Sequence, residues 1–287
     1  LGPLPINQSK NNNPLFKAFL NASSEAGHKI NPDMNGEYQE GFGMFDTTIH
    51  KGERASVSRY YLNPAKKRKN LNIFSNSFVE KIIFEGKKAI GIEVKIKDKV
   101  EKIYAEKEVI LSGGSINSPQ LLMLSGVGDS DHLKEKGIAV IHDLKGVGKN
   151  LQDHLETYIQ QECKTTDTLY KYTKLIPKVM AGIQWFLNKS GPCSQSFLEA
   201  GGFAKSSHDR KIPNIQFHFF PSFVINHGKV NASSHGYQLH ASPNQPRSRG
   251  SITLNSSNPY DYPKILFNYL EHEDDLKQTR ECIRVAR

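Results

Sequence analysis

From Asn70 to Ser112 the chain reads NLNIFSNSFVEKIIFEGKKAIGIEVKIKDKVEKIYAEKEVILS. Apolar and polar residues alternate through most of it, with breaks at Glu85-Gly86 and Lys97-Asp98. A period of two puts every second side chain on one face of a strand, so the stretch reads as sheet. Strands are expected near 72–75, 77–84, 88–96, 100–105 and 108–112, with tight turns at the breaks. The last run is the most continuously apolar, as suits a buried parallel strand. It ends in Gly113-Gly114 and runs on as SINSPQLLMLSGVG. There Ser118 is a candidate N-cap, Pro119 a first helical residue and Gly126 the stop.

Helical spacing appears in five other places. PLFKAFLNASSEAG carries Leu15, Phe16, Phe19 and Leu20 and stops at Gly27. RASVSRYYLNPAKK is ended by Asn63-Pro64. DSDHLKEKG is short and stops at Gly137. KLIPKVMAGIQWFLNKSG is amphipathic, with Trp185 expected in the core beside Ile183 and Leu187. HEDDLKQTRECIRVAR runs from acidic to basic, an order that suits the helix dipole. Further extended runs are IAVIHDL, LQDHLETYIQQECK, IPNIQFHFFPSF, GYQLHASP and GSITLNSS.

With 287 residues and 37% apolar content, the chain can form one large domain or two modest ones. No run of 18 apolar residues exists, so no membrane-spanning helix is expected. The net charge is +9, part of it in NPAKKRKN at 63–70. Elsewhere the basic residues are interleaved with acids, which reads as a solvated surface and not as a nucleic-acid site. Cys163, Cys193 and Cys282 are too far apart for a metal pattern or a disulfide framework, so a reducing compartment is expected. No Gly-x-Gly-x-x-Gly opens a helix after a strand, and no Walker-type loop occurs. The chain begins without Met and stops inside a helical run, so it is expected to be an internal piece of a longer protein.

GGSINSPQLLMLSGVG at 113–128, followed by GVGKNLQDH at 146–154, resembles the second signature of the glucose–methanol–choline oxidoreductases. GFGMFDTTIHKGERASVSRYYL, FVEKIIFEGKKAIGIEV and PRSRGSITLNSSNPYDYPKILFNYL stand around it in the family's order, so the resemblance covers essentially the whole chain. NNPLFKAF, DMNGEYQEGFG, NLQDHLETYIQQECK, FLEAGGF and PNIQFHFFPS are most similar to the choline-oxidising members.

The resemblance implies a mixed α/β (α+β) flavoprotein. Part of a Rossmann-like FAD-binding domain would occupy 51–153. An antiparallel-sheet substrate domain would take 154–287, with 1–50 as a further substrate-domain or linker portion. FAD would be the cofactor, and a small primary alcohol, choline, would be oxidised to betaine aldehyde by hydride transfer to the flavin. The electron acceptor stays open between oxygen and a respiratory-chain quinone. Peripheral membrane association, and with it a cytoplasmic or inner-membrane location, rests on analogy alone. The family's diphosphate-binding glycines are expected before residue 1 and its catalytic histidine beyond Arg287, so no catalytic residue is assigned here.

Three residues are carried over for the cofactor: Val79, whose backbone would meet the adenine edge, and Ser112 with Gly113 against the adenosine. Two are carried over for the substrate. Glu199, a carboxylate between Phe197-Leu198 and Ala200-Gly201-Gly202-Phe203, would face a quaternary ammonium, which offers charge but no N–H. His218 sits on a mainly apolar strand and points away from Phe217 and Phe219. His240 is a weaker candidate of the same kind, and His154 reads as structural. Asn244 and Gln245 stand where choline-oxidising members have Met and Arg, which leaves the exact substrate open.

Overall fold

A computed structural model describes residues 2–9, 13–207, 209–226, 229–230 and 232–287. In chain order, helix α1 (Pro14–Glu25) precedes strand β1 (Gly41–Met44). β2 (Ser77–Glu85), β3 (Lys88–Ile96) and β4 (Lys99–Tyr104) lead to α2 (Gly114–Leu124). β5 (Val127–Gly128), α3 (Ser130–Glu135), β6 (His142–Asp143) and β7 (Lys149–Leu151) follow. Then come β8 (Thr157–Glu162), α4 (Leu175–Asn188), β9 (Ala200–Ala204), β10 (Ile215–Phe220) and β11 (Gly236–Pro243). β12 (Gly250–Thr253), β13 (Lys264–Leu266) and α5 (Glu273–Ala286) complete the chain.

These elements form two compact units. The first takes residues 1–71, 154–245 and 276–287, the second 72–153 and 246–275. The chain passes from one unit to the other at 71/72, 153/154, 245/246 and 275/276. Residues 246–275 belong to the second unit because β12 pairs with β7 and with β13.

The first unit is built on an antiparallel sheet in the order β8-β11-β10-β9-β1. Alternation along IQFHFF sends Ile215, Phe217 and Phe219 to one face, where all are buried. Helix α1 covers that face. Phe19 stacks on Phe219 with ring centroids 4.8 Å apart, Phe16 meets Phe219 edge-on at 6.0 Å, and Phe42 lies 5.3 Å from Phe217. Cys282 of α5 is buried in the same cluster. Each such aromatic, taken out of water, contributes about 2–3 kcal/mol. Helix α1 starts where the sequence provides for it: Pro14 opens it, and the Asn13 side chain accepts the Leu15 N–H at 2.9 Å.

The second unit pairs β2, β3 and β4 as an antiparallel meander. Helix α2 is tied to it through Ser125, whose hydroxyl accepts the Ile82 N–H at 2.8 Å. Met123, Leu124, Leu133, Ile252 and Leu254 form the unit's core. His132 packs beside it, accepting the Leu254 N–H at 3.0 Å; burial holds its imidazole below the usual range.

Three local expectations are corrected. Residues 72–75 and 108–112 pair with no described strand, and Ile110 is 75% exposed. Apolar composition marked the second of these as a buried strand, but a strand needs a neighbour to hydrogen-bond. Helix α2 starts at Gly114, with Pro119 inside it and not at its first position. The cause is Gly114 itself, whose φ of +79° makes the turn that launches the helix early. Trp185 is not core. Its indole N–H donates to the Gly52 carbonyl at 2.7 Å and the Lys189 ammonium sits 3.6 Å over its ring, while Ala181 is the buried residue of α4.

Candidate functional site

The sheet of the first unit has a second face, and it is polar. One row of register partners crosses all five strands: Gly43, Gly201, His218, His240 and Tyr158. The two glycines leave one end of the row flat. A Cβ at Gly201 would lie 2.4 Å from the Phe45 ring and 2.1 Å from the Phe217 carbonyl, so only glycine lets that ring rest on the sheet. Phe45 then sits 5.5 Å from the His218 ring, and Tyr158 sits 5.6 Å from the His240 ring at the other end.

Between the histidines stands Glu156, one residue ahead of β8. Its Oε2 lies 2.7 Å from His240 Nδ1 and its Oε1 lies 3.9 Å from His218 Nδ1. The hydrogen bond from His240 holds the carboxyl below its usual range, against the opposing effect of burial. The carboxylate is thus ionised and anchored, yet its side chain keeps 42% exposure. Burial pushes His218 the other way from a charged state, lowering its imidazole below the usual range and keeping the ring neutral. Its Nε2 is 3.2 Å from Gln216 Nε2.

Behind His240 the polar groups are fixed by a fully buried side chain. Gln238 Oε1 accepts the Val224 N–H at 2.6 Å and Gln160 Nε2 at 3.0 Å, and Gln238 Nε2 lies 2.5 Å from His240 Nε2. An ionised carboxylate, two imidazoles and two aromatic rings on one face can hold a small polar or cationic molecule and orient a hydroxyl group.

Of the sequence candidates, His218 and His240 are brought together in this row. Glu199 lies on β9's leading edge and is only 3% exposed. Its carboxylate accepts the Ser9 hydroxyl, and its backbone carbonyl accepts the Phe45 N–H at 2.7 Å. It lines a separate cleft of about 300 Å³ with Ser9, Thr47, His50 and Gln195. Glu156 escaped the sequence reading. Its signal was the alternation Glu156, Tyr158, Gln160 on one face of the coming strand, in the same phase as His218 and His240 on theirs. His154 is exposed. Asn244 Oδ1 is buried without a hydrogen-bond partner among the described residues.

The residues expected for FAD lie in the second unit. Val79 pairs with Val94 in β2, and the register shifts immediately after it, between Val79 and Lys81. The residue this bulge takes out of the ladder is Glu80, next to Val79, while Val79 itself stays paired with Val94. Ser112 and Gly113 are exposed, and at Gly114 a Cβ would meet nothing within 4 Å. The backbone is open at Gly114, whereas at Gly113 a Cβ would meet the Asn117 side chain and the Ser118 N at 3.2 Å. Among the described residues no cluster of His, Cys, Asp and Glu could hold a metal ion.

Known proteins resemble the chain along its whole length. Residues 1–156 match the N-terminal model of the GMC oxidoreductases and 246–287 match the C-terminal one. An oxygen-dependent choline dehydrogenase of Brucella ovis is 47% identical over 286 residues, covering 100% of this chain and 52% of the relative. The mitochondrial choline dehydrogenase of Homo sapiens is 47% identical over the same length, with 48% of it covered. The chain therefore spans about half the length of these relatives. Among solved structures, a formate oxidase of Aspergillus oryzae superposes with a TM-score of 0.89 at 24% identity, over 99% of this chain and 54% of that one. Pyridoxine 4-oxidase from Mesorbium loti gives 0.83 at 23% identity, over 100% and 53%. These two likenesses establish the fold, and together the family models and the 47% identity establish that the chain belongs to the glucose–methanol–choline (GMC) oxidoreductases.

Proposed function

We propose that the full-length protein is an FAD-dependent dehydrogenase of primary alcohols and that its alcohol is choline, oxidised to betaine aldehyde. The observation that carries this reading is Glu156. It is an ionised, half-exposed carboxylate beside the rings of the polar row. A trimethylammonium group can be recognised only by charge and by aromatic faces, and this row offers both. The names borne by the 47% identical relatives support the same substrate.

Bound FAD supplies the two-electron acceptor for the hydride leaving the alcohol carbon. The chain's own residues hold the reactants. Val79 would offer backbone to the adenine edge, and Ser112 and Gly113 would lie against the adenosine. His218, kept neutral by burial, can hydrogen-bond the alcohol oxygen. We assign the cationic head to Glu156. Glu199, already engaged by Ser9, walls the neighbouring cleft and is the second candidate for the same task.

The test uses the full-length protein without oxygen, with flavin absorbance as readout. Choline should bleach the flavin, and 3,3-dimethylbutan-1-ol, the same shape without charge, should do so far less well. In Glu156→Gln that preference should fall by about tenfold or more, the scale of one lost ionic contact. A fall in Glu199→Gln with Glu156→Gln unchanged would move the head-group site to Glu199. Bleaching by neutral alcohols alone would overturn choline and keep the family.

A further inference from the structure

We infer that Gln238 is a positioning residue that fixes the His240 tautomer and so preserves the negative charge of Glu156. The inference rests on the assignment of Glu156 to the cation for its function, but not for its geometry.

Donors and acceptors along this line are dictated by chemistry. A backbone N–H can only donate, so the Gln238 atom 2.6 Å from Val224 N must be the amide oxygen. Gln160 Nε2 donates to the same oxygen at 3.0 Å. The Gln238 NH2 is therefore the group that faces His240 Nε2, 2.5 Å away. An NH2 group has no acceptor to offer, so His240 Nε2 must be the bare, accepting nitrogen. The ring proton then sits on Nδ1, where it donates to Glu156 at 2.7 Å. The chain of donors runs Val224 to Gln238 to His240 to Glu156, and Gln238 is fully buried, so water does not substitute for it.

The consequence is electrostatic. In the other tautomer Nδ1 would turn a lone pair toward Glu156, and only a protonated carboxyl could then bridge the two. The Nδ1–H donor instead leaves the carboxylate the negative charge that a cation needs. The titratable groups facing His240 are Glu156 and Tyr158 from the β8 side and His218 on β10.

The experiment labels histidine rings with carbon-13 in the full-length protein and reads their tautomers by NMR at fixed pH. The His240 signal is identified by its loss in His240→Asn. In the wild type it should report the Nδ1–H tautomer. In Gln238→Leu, at the same pH, a share of the signal should move to the Nε2–H tautomer. In that variant the choline preference over 3,3-dimethylbutan-1-ol should drop about tenfold. The drop should vanish in Gln238→Leu/His240→Asn, because an Asn amide still donates from the Nδ1 position.

An Nε2–H tautomer in the wild type overturns the inference. So does the same tautomer in wild type and Gln238→Leu, or a drop that persists in the double variant, which would mean that Gln238 acts through packing. Should Gln238→Leu fail to fold, the wild-type tautomer alone decides. A wild type that shows the expected tautomer but no preference for choline would overturn the substrate reading and leave the role of Gln238 standing.

Discussion

The two faces of the five-stranded sheet are made from the same strands and differ in almost everything else. One face carries Phe217, Phe219, Phe42 and Ala241, sealed by α1. The other carries glycines, two histidines, Glu156 and Gln238, with the row itself only partly covered. The first face gains from every ångström of packing. On the second, burial is balanced against hydrogen bonding residue by residue, as it is for a surface that must receive a polar ligand. A difference between adjacent residues of one strand therefore separates the packed face from the proposed substrate face. Phe217 and His218 are neighbours in sequence and opposite in surroundings.

The comparison can be broken most sharply at that pair. Phe217→Ala should cost about 3–5 kcal/mol, because it empties a fully packed site between Phe42 and the rest of the cluster. His218→Ala should cost about 1 kcal/mol or less, since its face loses one partly covered ring. Denaturant midpoints for the two variants measure the contrast directly. Equal losses would mean that both faces are core and that the polar row is no site.

A smaller effect is expected where the two faces share a residue position. Gly201→Val places a branched side chain against the Phe45 ring on the polar side and crowds the Phe217 carbonyl. Overpacking of this kind should cost about 1–3 kcal/mol. It should also displace Phe45 from beside His218 and so disturb alcohol binding more than Gly146→Val, a turn substitution in the second unit where a Cβ meets nothing within 4 Å and the backbone is not left-handed. Affinity for the alcohol, read from flavin bleaching in the full-length protein, separates these outcomes.

Much of this architecture is legible in the sequence, and the reasons for the rest are physical. Alternation in IQFHFF and GYQLHASP declares both faces of the sheet, and it put His218 and His240 among the candidates. Glu156 was hidden because it precedes its strand, and because its partners arrive from β10 and β11, far along the chain. Register between distant strands is not written locally. Glu199 drew attention through its apolar flanks, which describe the strand around it and not the partner, Ser9, that reaches it from the N-terminal segment. In α2 the Ser118-Pro119 pair is a sound local start signal, yet Gly114 turns the chain one helical turn earlier. Residues 108–112 have the composition of a buried strand, but composition does not supply a neighbour.

The smallest effect expected is the response of the polar face to acid. In the folded chain the Glu156 carboxyl is held below 4.5, so its contribution is present above that value and is lost as pH falls through the lowered one. His218 is held below 6.5. The unfolded chain therefore binds a proton there first, and stability declines as pH drops from 6.5 toward the folded value. Both groups weaken the fold in acid, in windows that follow one another downward. Both side chains keep some exposure, which moderates the size of the effect. Denaturant midpoints from pH 7 down should slope less in Glu156→Gln/His218→Phe than in the wild type, while Phe217→Leu, on the sealed face, should shift the curve without changing its slope. A slope unaltered by the double variant would place the acid response elsewhere, with Asp275 first in line: its carboxylate is buried and accepts the Arg247 and Ser248 N–H groups, each at 2.7 Å.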